Sequence, residues 1–385
     1  MRSPFARLTT FALICLIGTA AIAGCSTASI TPAGFAPTQG HMSDPRHAPP
    51  GTFVSMVPAC ACGRHTQLDL LSLSSGRILK TITSFSTGGP VQIATPAAAS
   101  NGRLFFTSTS GAVCAYSGDY SECPGFTPNS CRNTVTALSP GSTAPRVLFK
   151  VSGSRAIVDR VVPNSTGTEV SLALTPCISL QGMAGVFVRD LKSGVTRPVV
   201  TRSNRCDGFG PASWSQSGRE LVFPFDPAGG KPIELGGSLG CPAGGRAYLA
   251  LSSSDPATAK GLKLIDASPG CQFQSAAFDR LGIAATEGCS KGDPDGGVGG
   301  FLGYAYLMQF NPDGKVIRRL SLKVGLEQSV VATVPNTGNV LVTEDRPANE
   351  PYPERDWVWE FNGHKLRFIE SYQAEDAAQV LAVPW

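Results

Sequence analysis

The chain has 385 residues, with 32 Lys and Arg against 28 Asp and Glu for a formal charge of +4, and it contains 43 Gly, 30 Pro and 12 Cys. The charge itself is uninformative, but the lack of a dense Lys/Arg run interleaved with aromatics argues against nucleic acid as a partner. The part from Gly51 onward is long for one domain, but repeat-built β domains reach this size, so length alone does not demand two.

The first residues read as an address. "MRSPFARLTT" carries Arg2 and Arg7 with no acid, and "FALICLIGTAAIA" follows as an apolar run. A basic n-region before an apolar h-region is the layout of an export signal. The run falls short of the roughly 20 apolar residues of a membrane span. Ile22-Ala23-Gly24-Cys25 then resembles the bacterial lipobox, in which small residues precede a cysteine that is lipidated and becomes the new N-terminus. The resemblance implies a signal peptide over 1–24, a lipid on Cys25, and a protein facing the extracytoplasmic side of a cell membrane or outer membrane. The alternative is an ordinary secretory signal that contains a cysteine. Several acyl chains anchor firmly, since each buried CH₂ contributes about 0.8 kcal/mol.

Residues 25–50 form the next segment, the lipid-bearing cysteine and then a stretch rich in Pro, Ser, Thr and Gly with no apolar period. Such a stretch cannot bury enough surface to offset its ordering entropy, so it reads as a tether. It holds His41 and His47, which are not expected to form a site.

From 51 to 385 two phrases alternate. The first is an apolar strand, a polar turn usually with Gly, and a second alternating strand. Its copies are "ATPAAASNGRLFFTST" from Ala94, "RVVPNSTGTEVSLALT" from Arg160, "ASWSQSGRELVFPF" from Ala212, "SAAFDRLGIAATEG" from Ser275 and "VVATVPNTGNVLVTE" from Val330. The second phrase is another strand pair, beginning at Gln67, Thr134, Gly185, Arg246, Tyr304 and Trp357. Period-two alternation and Gly-bearing turns mark both as β-hairpins. Together they give four strands every 50–65 residues or so, a spacing that suits propeller blades rather than helical solenoids.

The expectation is therefore an all-β protein, a six-bladed β-propeller with seven as the other count. "AAQVLAVPW" at the C-terminus looks like the first half of a blade, and "GTFVSMV" from Gly51 lacks one. The C-terminal strand is expected to pair into the N-terminal blade, which would remove free strand edges. "WSQSGRELVF" resembles the repeat of TolB-like and WD40-like β-propeller proteins, whose usual form is Trp-Ser-Pro-Asp-Gly-Lys. Only the copy at Trp214 is close in its letters. The resemblance implies a scaffold with loops around a central channel, and function on such scaffolds must be argued from a site.

Besides Cys25, ten cysteines remain after the signal: Cys60, Cys62, Cys114, Cys123, Cys131, Cys177, Cys206, Cys241, Cys271 and Cys289. An even set in an exported protein most simply forms disulfides. Neighbours in sequence make Cys123 with Cys131, Cys177 with Cys206, and Cys271 with Cys289 the local candidates, each worth roughly 2–4 kcal/mol. Cys60-Ala61-Cys62 does not have zinc-ligand spacing.

No catalytic or metal set stands out. "GGSLG" around Ser238 matches a nucleophile elbow, but a Gly loop follows where a helix is required, so it reads as a loop. Asp293 and Asp295 in "KGDPDGGVGG" lack the further ligands of a calcium loop. His65 and His364 have no partner at metal or triad spacing, and Asn164, in a glycosylation sequon, leads into a Thr-Gly turn. Trp357 and Trp359 share one face of a strand, which core packing explains as well as ligand stacking does.

Three readings follow. The favoured one is a lipid-anchored monomer without a cofactor that binds a protein or glycan of the envelope. The second is a calcium-dependent lactonase or esterase, with acids such as Asp69, Asp159, Asp190, Asp279 and Glu344 converging on the channel. The third is a structural envelope component.

Overall fold

The computed structural model describes residues 52–58, 65–72, 74–86, 91–98, 102–110, 132–139, 142, 145–151, 156–176, 184–201, 207–227, 233–235, 238–240, 246–255, 261–290, 303–322, 328–333, 338–346 and 355–373. Each copy of the two phrases becomes an antiparallel strand pair, and the pairs join edge to edge in chain order.

β1 (Thr52–Pro58), β2 (His65–Ser72) and β3 (Ile78–Ser86) form a three-stranded sheet. The first four-stranded blade is β4 (Val91–Ala98), β5 (Leu104–Ser110), β6 (Arg132–Leu138) and β7 (Arg146–Val151). The second is β8 (Ala156–Pro163), β9 (Glu169–Pro176), β10 (Gly185–Asp190) and β11 (Thr196–Thr201). The third opens with two short pieces, β12 (Gly208–Phe209) and β13 (Ser213–Trp214), both paired with β14 (Glu220–Asp226). A separate ribbon of β15 (Ile233–Leu235) and β16 (Ser238–Gly240) intervenes before β17 (Tyr248–Ser253) and β18 (Lys263–Asp266) complete that blade. β19 (Cys271–Phe278), β20 (Ile283–Ser290), β21 (Gly303–Phe310) and β22 (Val316–Ser321) make the fourth blade. β23 (Gln328–Thr333), β24 (Val340–Arg346), β25 (Arg355–Phe361) and β26 (Leu366–Gln373) make the fifth.

The chain is all-β, with no helix among the described residues, and its blades have the propeller arrangement. The expected count needs correcting: five blades are complete, not six, among the described residues. The sheet β1–β2–β3 is a blade short of one strand. The residues expected to supply it, Ala377 to Trp385, lie outside the described residues.

Successive sheets stack face to face, and strand periodicity supplies both faces. Leu221 and Phe223 pack back against Val186 and Val188 of the second blade, while Val222 between them packs forward with Ile283 and Phe310 of the fourth. In the same way Phe105 faces Val158 and Val161, while Leu104 and Phe106 face Leu68 and Leu70. A strand buried on both faces reads as a continuous apolar run, which is why "LVF" and "LFF" lack polar alternation.

Burial falls across each blade toward its fourth strand. β11 and β22 are largely exposed, with Ile317 and Val316 at 46% and 56%. These outer edges carry charge or proline: Arg146 and Lys150 on β7, Arg197 and Pro198 on β11, Arg318 and Arg319 on β22. Both features discourage pairing with another chain. Register shifts recur between the third and fourth strands, at Val135/Thr136, Val186/Phe187, Gln309/Phe310 and Val358/Trp359. Such bulges add local twist.

Polar side chains bridge blades where the stacked edges leave backbone groups open. Thr107 donates to the Val158 carbonyl at 3.3 Å, and the Val158 amide donates to Asn133 Oδ1 at 2.9 Å. The Trp214 indole donates to the Val162 carbonyl at 2.8 Å, and Ser171 Oγ to the Ala212 carbonyl at 2.7 Å. The break between β12 and β13 has a local cause. Pro224 on β14 has no amide to donate there, and a Cβ on Gly210 opposite would lie 2.8 Å from the proline ring.

Trp214 is 6% exposed at this seam. Trp214→Ala is expected to destabilise the domain by about 3–5 kcal/mol through the cavity it leaves. Trp214→Phe, which loses the indole donor but keeps most of the volume, should cost about 1 kcal/mol. Denaturant midpoints of the two variants check the order.

Candidate functional site

The hairpin turns claim most of the short polar side chains. In the turn between β13 and β14, the Glu220 amide donates to Ser215 Oγ at 3.1 Å, and Gly218 takes φ +67°. The neighbouring first-phrase turns use Asn164 and Asp279 in the same role. Asn164 Oδ1 accepts from the Thr168 amide at 3.0 Å, and Asp279 Oδ1 from the Leu281 and Gly282 amides at 2.8 and 2.7 Å. In the second phrase the duty passes to Asp190, which accepts from the Lys192 and Ser193 amides and from Ser193 Oγ. Those bonds from Ser193 hold the Asp190 carboxyl below the usual aspartate range. Asn164 is thus a turn former with its side-chain amide donating to Thr168 Oγ1. Asx turns explain the residue choice fully.

Of the acids selected for a hydrolytic channel, the three with described side chains, Asp69, Asp190 and Asp279, are not brought together. Asp190 and Asp279 lie in turns of different blades, with Asp279 also accepting from Gln309 Nε2 at 2.6 Å. Asp69 is buried on β2 opposite Ser55. Asp159 is the residue left unpaired by the register shift between Val158 and Arg160; its side chain, and that of Glu344, lie outside the described residues. Ser238 is corrected from a loop to a strand: it pairs with Leu235 in the β15–β16 ribbon, where "IEL" and "SLG" oppose each other antiparallel. His364 is exposed in the β25–β26 turn, where its carbonyl accepts from Arg318 Nη1. Trp359 packs edge-on against the exposed Phe368 at 5.2 Å, a cross-strand contact. His41, His47, Asp293, Asp295 and Cys25 lie outside the described residues, as do the side chains of His65 and Trp357.

Three buried charges are new, Glu287, Arg160 and Asp207, and the first two stand out by their surroundings. The first sits in the fourth blade, under the Cys271–Cys289 disulfide, which joins the residues directly opposite on β19 and β20. This is one of the pairings expected from spacing. Cys60, Cys62, Cys114, Cys123, Cys131, Cys177, Cys206 and Cys241 lie outside the described residues. Beneath the disulfide the Glu287 side chain is wholly buried. It accepts from the Ser268 amide at 2.6 Å and Ser268 Oγ at 3.0 Å, and Arg319 Nη2 approaches at 3.6 Å. Arg319 also lies 3.6 Å over the Tyr306 ring. Ligand atoms of Cys271, Glu287 and Cys289 fall within 4.8 Å of one another, but here the two sulfurs are bonded to each other.

The second is Arg160 on β8, the strand of the second blade that packs against the first blade. It is 5% exposed, its Nε finds no hydrogen-bond partner, and it forms no ion pair among the described residues. Burial pulls its pKa down to about 10. In the sequence Arg160 stands as the first letter of a repeat copy, "RVVPNSTGTEVSLALT". Counting three residues back from the last strand pair before the turn gives Arg160, Ser275 and Val330 in three blades. A charge in a slot that is otherwise small or apolar was the available signal.

Asp226 on β14 is a third perturbed group, its pKa raised by burial and then by the nearby Asp207.

No protein-family model matches the chain, and no curated protein does. Similar solved structures include the periplasmic gluconolactonase of Pseudomonas aeruginosa, at 13% identity and TM-score 0.45, covering 86% of this chain and 99% of that one. An oligogalacturonate lyase from Vibrio parahaemolyticus shows 10% identity and TM-score 0.43, with 82% and 78% covered. The acylaminoacyl peptidase of Pyrococcus horikoshii shows 12% identity and TM-score 0.40 over 72% of this chain; the chain spans only 39% of that protein. Likenesses this distant carry nothing about activity, and the fold stands on the strands themselves.

Reducing the disulfide, or replacing both Cys271 and Cys289 by Ala, is expected to cost about 3 kcal/mol by the loop-closure argument; thermal melts of the two forms measure it. Asp226 gives a pH test. Its folded pKa is raised, so the folded state holds the proton more tightly than the unfolded chain does, and stability falls as pH rises through the carboxylate range. Asp226→Asn should flatten that fall, giving a larger gain in melting temperature at pH 7 than at pH 4 or so.

Proposed function

We propose that the chain is an exported, lipid-anchored β-propeller that acts as a binding module in the cell envelope, its ligand a protein or glycan. The observation that carries the binding half is where the acids sit. A propeller hydrolase holds several acids around one metal, whereas Asp190 and Asp279 each accept hydrogen bonds from the amides of their own turns. Acids engaged in closing hairpins serve the scaffold, and the scaffold leaves its loops for recognition. The anchor half rests on the sequence "IAGC" behind a basic and then an apolar segment.

Expression of the full chain in a bacterial host tests both halves. Wild type is expected in the membrane fraction with radiolabelled palmitate incorporated, and Cys25→Ala in neither state. Chelation with EDTA is expected to leave the melting temperature unchanged. A tightly held calcium, with a clear drop on chelation, would replace the binding module with the hydrolase.

A further inference from the structure

Arg160 deepens the binding reading and rests on it. We propose that Arg160 is the receptor of an anion site on β8 of the second blade, taking the carboxylate group of the ligand.

A cation withdrawn from water without a partner is strongly unfavourable, so buried charges in folded proteins are paired or bonded. This chain follows that rule at Glu287, which gathers Ser268 and Arg319 around a carboxylate with no exposed surface. It departs from the rule at Arg160, equally inside the fold and without a described partner. A guanidinium with a pKa of about 10 stays protonated at neutral pH, so the charge stands and asks for an anion.

The place suits a ligand. β8 is the edge strand of its sheet and lies opposite the exposed outer strand β11. The register shift beside Asp159 re-aims the chain at this point, so that Val158 and Val161 both pack toward the first blade. Arg160 takes the other side, shared with Val162, which packs in the cluster of the third blade. The corresponding slots hold Ser275 and Val330, so packing alone does not call for an arginine.

The chemistry favours a carboxylate. The planar fork of the guanidinium matches two carboxylate oxygens. One negative charge balances one positive charge. A phosphate dianion would add surplus negative charge beside a blade whose Asp207 is already buried and whose Asp226 is already pushed up by burial and then by Asp207.

Thermal melts of the full chain in detergent test the site, comparing wild type, Arg160→Met and Arg160→Lys at matched ionic strength. The probes are acetate and glucuronate, a tripeptide with a free or an amidated C-terminus, and phosphate and chloride as controls, each at about 50 mM. Acetate or glucuronate is expected to raise the wild-type melting temperature by several degrees over chloride. Arg160→Met should lose that increment while melting no lower than wild type in chloride, and Arg160→Lys should keep only part of it. A response to the free-terminus peptide and not the amidated one would assign the carboxylate to a polypeptide end; a response to glucuronate alone would assign it to a sugar acid. No carboxylate increment in wild type overturns the proposal. So does an equal increment in both variants, or a larger one with phosphate. If Arg160→Met does not fold, Arg160→Lys decides alone. Calcium-dependent hydrolysis together with a carboxylate increment would remove the binding-module reading and leave the anion site in place.

Discussion

Each of the first four blades must satisfy two neighbours at once, and that constraint governs the rest of the described structure. A sheet packed on both faces has no polar side to turn outward, so its inner strands become apolar at consecutive positions. Leu221 and Phe223 serve one neighbour and Val222 the other, by alternation. Several buried polar groups answer a backbone group of the next blade. Asn133, Thr107, Ser171 and Trp214 do this, and each is buried. Solvent is left to the fourth strands and the turns, so charge gathers there.

The turns show the other consequence. A hairpin of a few residues leaves amides that no strand can accept from, and a short side chain with an oxygen closes the gap. Ser215, Asn164, Asp279 and Asp190 are four solutions to one geometric problem. This is why the repeat is visible as a pattern and poorly conserved in letters from copy to copy within the chain. Chemically different residues satisfy the same amides, so an acid count in such a fold overstates the catalytic material.

That substitution freedom also explains which features could be read from the sequence. The strand pairs were readable because period-two alternation and Gly-bearing turns mark them directly, and "WSQSGRELVF" does become a hairpin seated on the neighbouring blade. Cys271 and Cys289 were readable as a local pair because a tight β19–β20 hairpin sets them opposite. Ser238 was misread, since three-residue strands such as "SLG" are too short to show a period. Glu287 and Arg160 went unnoticed for a different reason. Their roles depend on burial, and burial of a single charged residue within an alternating strand is set by the neighbouring blade, not by its own segment.

These two buried charges then divide by what surrounds them. Glu287 has two bonds from Ser268 and a stacked Arg319, so the fourth blade is complete in itself and the charge helps tie the loop before β19 to β20. Arg160 has no such set, and local consistency fails there and at few other places. Such failures in an otherwise consistent fold collect at functional positions, where stability is traded for a ligand. An arginine is the better choice for that trade than a lysine. Its charge persists through desolvation that would neutralise an ammonium, and its fork presents two donors at once. A scaffold whose blades are fixed by apolar stacking can tolerate one such unmet charge, because the free energy that holds β8 comes from Val158, Val161 and Val162 on either side of it.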